Sequence, residues 1–448
     1  MRTDIRLIED KELEKNMAGK KVAIIGGGAA GLAAARALSG SGVGVHIIEK
    51  TNFLGGHAIG YTCKATDECM QCGACSVEQL LKDVSNDSKI SVHLLSEIEK
   101  VSYKEGFALT LKKGPVFIDP DKCNNCGVCY EKSPVKGAVL RGYSKNNRPL
   151  YALNADKLAD CKPLVKLCPK KAIVLDAKSS QKTVKVDAVI VTSGFAPFDP
   201  ARKGTYGYGK FPNVISGLDM ERIKREKGAL VRPSDGLPAK KIAFIQCVGS
   251  RDERLGNLWC SRVCCPYALR SARSVKHKQP ETEITVFYMD IQNIGKEFQM
   301  FYEACHDGFR FVRSIPVDVF PADNDDLSIR FYDEDGLAAK PVAVTDADAQ
   351  PEEVAPVSTA GKAVYDTFDL LVLSIGISPN PDNLVLADML GVDLDGDGFI
   401  KTSGELDATA TKKKGIFVAG TAHQPKTIDA SIAQATKAAR EALKYLGE

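Results

Sequence analysis

Six consecutive residues constrain this chain most: Gly26-Gly27-Gly28-Ala29-Ala30-Gly31, a GxGxxG set between the apolar run Val22–Ile25 and an Ala-rich stretch from Leu32 to Leu38. A short apolar run closed by glycines reads as a buried strand, and the stretch after it as a helix. Glycines at this spacing let the backbone approach a pyrophosphate at the helix N-terminus, so Gly26, Gly28, Ala30 and Gly31 are candidate nucleotide contacts. A second strand, Val43 to Ile48, ends at Glu49 and Lys50. An acid about 20 residues beyond the glycines takes the ribose hydroxyls, which favours FAD or NAD over NADP.

Further segments choose FAD. Leu54-Gly55-Gly56 follows the second strand closely, with His57 beside it. Flavoproteins often pass their backbone beside the flavin at such a turn. A third apolar strand runs from Asp187 to Thr192 and ends in Thr192-Ser193-Gly194-Phe195; Phe368 to Ser374 repeats that design. Gly415 to Gly420 forms a closing strand with Ala419-Gly420 at its end, followed by Pro425-Lys426 and a helix from about Ile428 to Leu446. The start of that helix would turn a positive dipole toward the flavin, and Lys426 is the candidate catalytic residue near it.

At 448 residues the chain is long for one core. Its net charge of +3 gives no reason to expect nucleic acid. The first 20 residues lack an apolar segment, and no apolar run suits a membrane span, so a cytoplasmic address without membrane insertion is expected. The 14 cysteines are too few for a disulfide scaffold, yet they are grouped, which favours metal ligation in a reducing compartment.

In a two-dinucleotide fold a second nucleotide domain interrupts the first. Its opening strand should be Lys241–Ile245, but Gln246-Cys247-Val248-Gly249-Ser250-Arg251 replaces the glycine-rich turn. Nicotinamide binding is therefore not expected. Cys247, Cys260, Cys264 and Cys265 stand there instead, enough thiolates for a four-iron, four-sulfur cluster. Cys264 and Cys265 are adjacent, so a helix start or irregular turn is needed to aim both at one cluster.

Two more groups follow the same chemistry. Cys123, Cys126 and Cys129 form a ferredoxin-type CxxCxxC, and Cys168-Pro169 supplies the fourth ligand as in a ferredoxin repeat. A second cluster would need cysteines where Ser133, Leu158 and Leu164 stand; only Cys161 remains. Cys63, Cys69, Cys72 and Cys75 form a third set, with zinc or redox-paired thiols as competing readings. Three features are set aside. Asp393 to Gly398 lacks the twelfth-position Glu of a calcium loop and reads as a polar turn. Cys305 reads as packing, and Asp346 to Pro356 as an exposed loop.

Several segments together resemble the A subunit of heterodisulfide reductase and its relatives, including the A subunit of the quinone-interacting membrane-bound oxidoreductase. They are Gly26–Gly31, Gly55-Gly56, Thr192–Asp199, Ile245–Glu253, Cys260–Cys265, Ala419-Gly420, Pro425-Lys426 and Ser431–Ala435. The resemblance implies a cluster on Cys247, Cys260, Cys264 and Cys265, a flavin between clusters, and Lys426 near it. Its departures are the missing ligands of the insert and the unusual Cys63–Cys75 group, which leave flavin-based electron bifurcation and the partner set open.

The expected fold is α/β, a thioredoxin-reductase-like flavoprotein of two dinucleotide-binding domains with an inserted ferredoxin-like iron–sulfur module. Residues 1–19 would form an N-terminal extension. The FAD domain would comprise 20–114, 179–236 and 362–448, the insert 115–178, and a degenerate NAD-type domain carrying a cluster 237–361. The expected function is an electron-transfer subunit with FAD and two to three clusters. Its partners would be heterodisulfide reductase B/C-like subunits, a ferredoxin or a hydrogenase, with a homodimer as an option. The rivals are an NAD(P)H-dependent flavin disulfide reductase or dehydrogenase, and a docking adaptor with a structural flavin.

Overall fold

The computed structural model describes residues 17, 19–103, 106–143, 149–292, 295–332, 363–404 and 408–447. Most of the expected N-terminal extension and the whole of the Asp346–Pro356 loop lie outside them. The described residues divide into two units, one within Met1–Cys63, Gly73–Ala196 and Pro379–Glu448, the other within Lys64–Cys72 and Pro197–Ser378.

The first unit is built on five parallel strands. Lys21–Ile25 lies between Gly44–Ile48 and Ala188–Val191, with Ile90–His93 and Ile416–Val418 at the edges. Strands buried on both faces need apolar residues at every position, and alternate side chains serve alternate cores. Val22, Ile24, Val45 and Ile47 pack against helices Ala29–Ser39 and Ile428–Gly447. The two helices approach closely because they meet through Ala30, Ala34, Ala435, Ala438 and Ala442. Ala23, Ile25, Val189 and Val191 belong to the opposite core, together with helix Asp382–Leu390 and an antiparallel sheet of Ser96–Tyr103, Phe107–Lys113 and Ser180–Val186.

Between the last two of those strands the chain builds a small module. Its hairpin, Val139–Tyr143 with Pro149–Leu153, and the bridge Ile118↔Ile173 enclose a core of Phe117, Ala138, Leu153, Cys161, Leu164 and Ala172. Gly142 packs flat against Phe53 of the nucleotide half; a Cβ there would lie 2.4 Å from the Phe53 ring.

The second unit repeats the design. Its parallel strands run in the order Val214–Ser216, Leu370–Ile375, Lys241–Val248, Glu283–Phe287 and Arg310–Val312. Helices Gly217–Lys227 and Cys264–Lys278 supply one core, and an antiparallel sheet of Asp318–Pro321, Leu327–Tyr332 and Ala363–Phe368 the other. Ser216 and Asp219 close a reciprocal capping box that starts the first of these helices. Val214–Ser216 pairs with Leu370–Ile375, so the segment Pro197–Ser378 opens and closes on neighbouring strands of this sheet. Among the described residues no helix is long and apolar enough to cross a membrane.

Candidate functional site

The glycines of the first unit form a cradle with no room for side chains. A Cβ at Gly31 would lie 1.9 Å from the Gly26 carbonyl oxygen, and one at Gly26, whose φ is 105°, would lie 2.3 Å from the Thr192 carbonyl. Thr192 braces the turn by donating its hydroxyl to the Gly26 carbonyl at 2.8 Å. Glu49 is buried; its carboxylate accepts the Gly27 N–H and the Thr51 N–H, each at 2.8 Å. The Gly55 N–H donates to the Gly27 carbonyl at 2.8 Å, and a Cβ on Gly56 would come within 3.1 Å of the Gly28 Cα. The two glycine turns therefore lie against each other.

Ala30 meets Gly420, whose N–H donates to Gln434 Oε1 at 2.9 Å; a Cβ at Gly420 would be 2.8 Å from that of Ala30. Lys426 is buried just before the last helix. Gly194 has a φ of 78°. His57 is exposed, with its ring 4.8 Å from that of Phe195. Lys50 is ion-paired to Asp382 at the surface. A cradle that a Cβ would fill at four glycines, with a buried acid at the next strand end, fits a dinucleotide.

In the second unit, strand Lys241–Val248 bulges after Ile245, opposite Ser374. The bulge gives Cys247 a φ of 58°, and left-handed backbone recurs at Gly249, Arg251 and Arg262. Bulges of this kind re-aim a side chain next to a site, and left-handed non-glycine residues mark stored strain. The following loop is pinned. Trp259 Nε1 donates to the Ile377 carbonyl at 2.8 Å, Asn257 Nδ2 donates to the Gly249 carbonyl at 2.9 Å, and Ser261 Oγ accepts the Ile377 N–H at 2.8 Å. Cys264 and Cys265 are the first two residues of helix Cys264–Lys278, a helix start that leaves both buried beside Cys247. The Arg262 N–H donates to Cys260 Sγ at 3.3 Å.

Burial first, and then the neighbouring thiols, push Cys247 up to about 12 and Cys264 higher still; burial likewise lifts Cys265 to about 11. Thiols so placed ionise when a metal compensates the charge. On the strands, turn and helix that carry these cysteines five buried polar atoms have no hydrogen-bond partner: Gln246 Oε1 and Nε2 and the hydroxyls of Ser250, Ser271 and Ser374, all from residues at most 2% exposed. Each such orphan costs about 1–3 kcal/mol, and nothing in the residue pattern announces them.

In the inserted module Cys123, Cys126, Cys129 and Cys168 line one small cavity with Ile118, Tyr151 and Ile173. The Asn125 N–H donates to Cys123 Sγ and the Ala172 N–H to Cys168 Sγ, each at 3.4 Å. Burial and the nearby Cys123 lift Cys129 to about 11. Where a second set of ligands would lie, Cys161 and Leu164 are fully buried in the module core. In the first cysteine group, Cys63 and Cys69 are exposed, Cys72 is half-buried, and the exposed Cys75 stands in the first turn of helix Ala74–Ser85. The two CxxCxxC segments share one backbone: Gln71 and Gly73 have φ of 46° and 77°, Asn125 and Gly127 of 56° and 80°. Among the described residues no three His, Cys, Asp or Glu side chains converge on a single ion position. A four-iron cluster asks for less, one thiolate at each iron.

One buried ion pair leaves no trace in the sequence pattern. Lys64, next to Cys63, is paired with Glu221 at 2% and 3% side-chain exposure, and its ammonium lies 5.1 Å from the centroid of the Tyr267 ring. The partners are too far apart in sequence for any pattern to join them.

Residues 24–74 match the model of an NAD(P)-binding Rossmann-like domain. The chain is 33% identical over 98% of its length to the A subunit of the H2:CoB-CoM heterodisulfide,ferredoxin reductase of Methanothermobacter thermautotrophicus, covering 65% of that protein. It is 32% identical over 94% of its length to the iron-sulfur A subunit of the CoB–CoM heterodisulfide reductase of Methanocaldococcus jannaschii, covering 63% of it. The chain thus spans a little under two thirds of these relatives. Among solved structures, thioredoxin reductase of Lactococcus lactis superposes with a TM-score of 0.51 at 12% identity, over 95% of this chain and 99% of that one. Thioredoxin reductase of T. acidophilum gives 0.50 at 13% identity, over 95% and 98%. The chain belongs to the heterodisulfide reductase A-subunit-like family, with the two-dinucleotide-binding fold of thioredoxin-reductase-like flavoproteins.

Proposed function

We propose that the chain is an FAD- and iron–sulfur-carrying electron-transfer subunit of a heterodisulfide reductase-like oxidoreductase complex. The observation that carries this is the cysteine quartet: Cys247 at a strand bulge and Cys264 and Cys265 at a helix start are buried, with Cys260 in the loop between, where a second dinucleotide fold would place its phosphate turn. When bound, FAD exchanges electrons in pairs or singly, and the clusters relay single electrons.

The residues divide that work. Gly26, Gly28, Ala30 and Gly31 cradle the pyrophosphate, and Glu49, with Lys50 after it, takes the ribose. Gly55, Gly56, His57, Thr192, Gly194, Gly420 and Lys426 surround the flavin end, where the buried Lys426 offers positive charge to the reduced ring. Cys123, Cys126, Cys129 and Cys168 hold one cluster and the Cys247 quartet another. Cys63, Cys69, Cys72 and Cys75 hold a third, which the backbone shared by the two CxxCxxC segments supports. Partners would be redox subunits of the kinds the relatives' names indicate, including a ferredoxin, and the address cytoplasmic. Bifurcation at the flavin is the finer form of the proposal.

Anaerobic quantification of iron, sulfide and flavin, with EPR of the reduced protein, tests it. About eight irons and one flavin per chain are expected for two clusters, and about twelve irons for three. Fewer than about four irons after anaerobic purification and reconstitution would overturn it.

A further inference from the structure

The polar atoms around the bulge at Cys247 have a use. Along strand Lys241–Val248, Ile242 and Phe244 share the core of helix Cys264–Lys278, and along the neighbouring strand Leu370 and Val372 do the same. By the two-residue period, Gln246 and Ser374 continue that face toward the buried ends of Cys264 and Cys265. Ser250 lies in the turn after Cys247, and a Cβ on Gly376 would be 3.1 Å from the Ser250 Cβ and 2.8 Å from Ser261 Oγ. Ser261 directly follows Cys260. Three residues with orphaned polar atoms, each at most 2% exposed, therefore flank the quartet: Gln246 precedes Cys247, Ser250 lies in the turn after it, and Ser374 stands opposite the bulge.

We infer that Gln246, Ser250 and Ser374 are potential-setting residues for the cluster proposed on Cys247, Cys260, Cys264 and Cys265, donating hydrogen bonds to its sulfur atoms. The inference rests on the proposed function above. Donors aimed at cluster sulfur stabilise the reduced, more negative state and raise the reduction potential. The chain already supplies such a bond at this quartet, from the Arg262 N–H to Cys260 Sγ at 3.3 Å. Gln246 and two serines in this pocket otherwise have no purpose in packing, for which valine and alanine would serve better.

The test is an EPR-monitored redox titration of the intact protein and of Ser374→Ala, Ser250→Ala, Gln246→Leu and Ser374→Thr, with iron and sulfide counted in each. Wild-type protein without a cluster at this quartet, shown by unchanged iron and EPR in Cys260→Ala, would overturn the proposed function itself. With the cluster present, each alanine variant and Gln246→Leu should keep its iron. Each should shift the equilibrium of this cluster about tenfold toward oxidation, a fall of about 59 mV for one electron. Ser374→Thr, which keeps the hydroxyl, should stay at the wild-type potential. Potentials unchanged in all three deletions would overturn the inference. So would loss of the cluster in every variant, Ser374→Thr included, since the region would then only hold the fold.

Discussion

Single residues show where sequence reasoning stops. The glycine cradle and Glu49 were legible because a pyrophosphate needs those residue types at fixed spacing. Lys64 and Glu221 were not, because a buried ion pair depends on folding and leaves no period in the chain. Removing one partner of such a pair strands the other charge in the interior and costs about 3–5 kcal/mol. Lys64→Met should therefore lower the melting temperature sharply, and Lys64→Met with Glu221→Leu should recover much of the loss. Equal melting of wild type and single variant would show that the pair carries little. Cys161 gives a second prediction. Its Sγ lies 3.5 Å from the Ala138 carbonyl oxygen inside the module core, apart from the cavity lined by Cys123, Cys126, Cys129 and Cys168. Cys161→Ala should keep the iron content and cost about 1 kcal/mol of stability as a small cavity, whereas Cys126→Ala should lower the iron count. Loss of iron from Cys161→Ala would make it a ligand.

Secondary-structure elements were legible where their apolar pattern is continuous, as in Val22–Ile25, and the helix expected from Ile428 to Leu446 runs from Ile428 to Gly447. What adjacent elements do to each other was not. His46 and His93, on neighbouring parallel strands, place Nδ1 and Nε2 3.1 Å apart. One neutral ring donates to the other, so a proton on both would leave two cations in contact. Burial lowers the pKa of both; for His93, Lys182 and then His46 add to it and bring it from 6.5 to about 4. The unfolded chain then binds more protons than the folded one between these values, so stability rises with pH across that window. It is fully present above about 6.5 and is lost as pH falls toward 4. Because the rings are half-exposed, the expected effect is a slope and not a collapse. Melting temperature should fall between pH 7 and pH 5, and His93→Gln should flatten that fall. Parallel curves for wild type and variant would remove the pair from the account.

At the scale of the whole molecule the two units carry the same sheet and helix plan but differ at the end of one central strand, Lys21–Ile25 in the first and Lys241–Val248 in the second, and part of that difference was readable in advance. A nucleotide fold offers the N-terminus of the helix after its first strand to a pyrophosphate. In the first unit that helix, Ala29–Ser39, follows the glycine cradle. In the second unit the corresponding helix opens with Cys264 and Cys265, and the strand before it ends in the Cys247 bulge. The dipole that would draw phosphate there would face the thiolates of the proposed cluster instead, and an anionic cluster beside it would repel a pyrophosphate. The sequence could show the missing glycines. It could not show that the strand bulges, because a bulge is a change of register between partners and Ser374 lies far along the chain. From this the behaviour toward nicotinamide follows. Under anaerobic conditions NADH or NADPH alone should leave the flavin absorbance unchanged over minutes, while dithionite bleaches it. Restoring glycines by Cys247→Gly should lower the iron count without creating NADH oxidation, since the helix start would still carry Cys264 and Cys265. Rapid bleaching of the unmodified protein by NADH would instead favour a nicotinamide-dependent disulfide reductase, and would make the cysteine quartet a secondary feature of this fold.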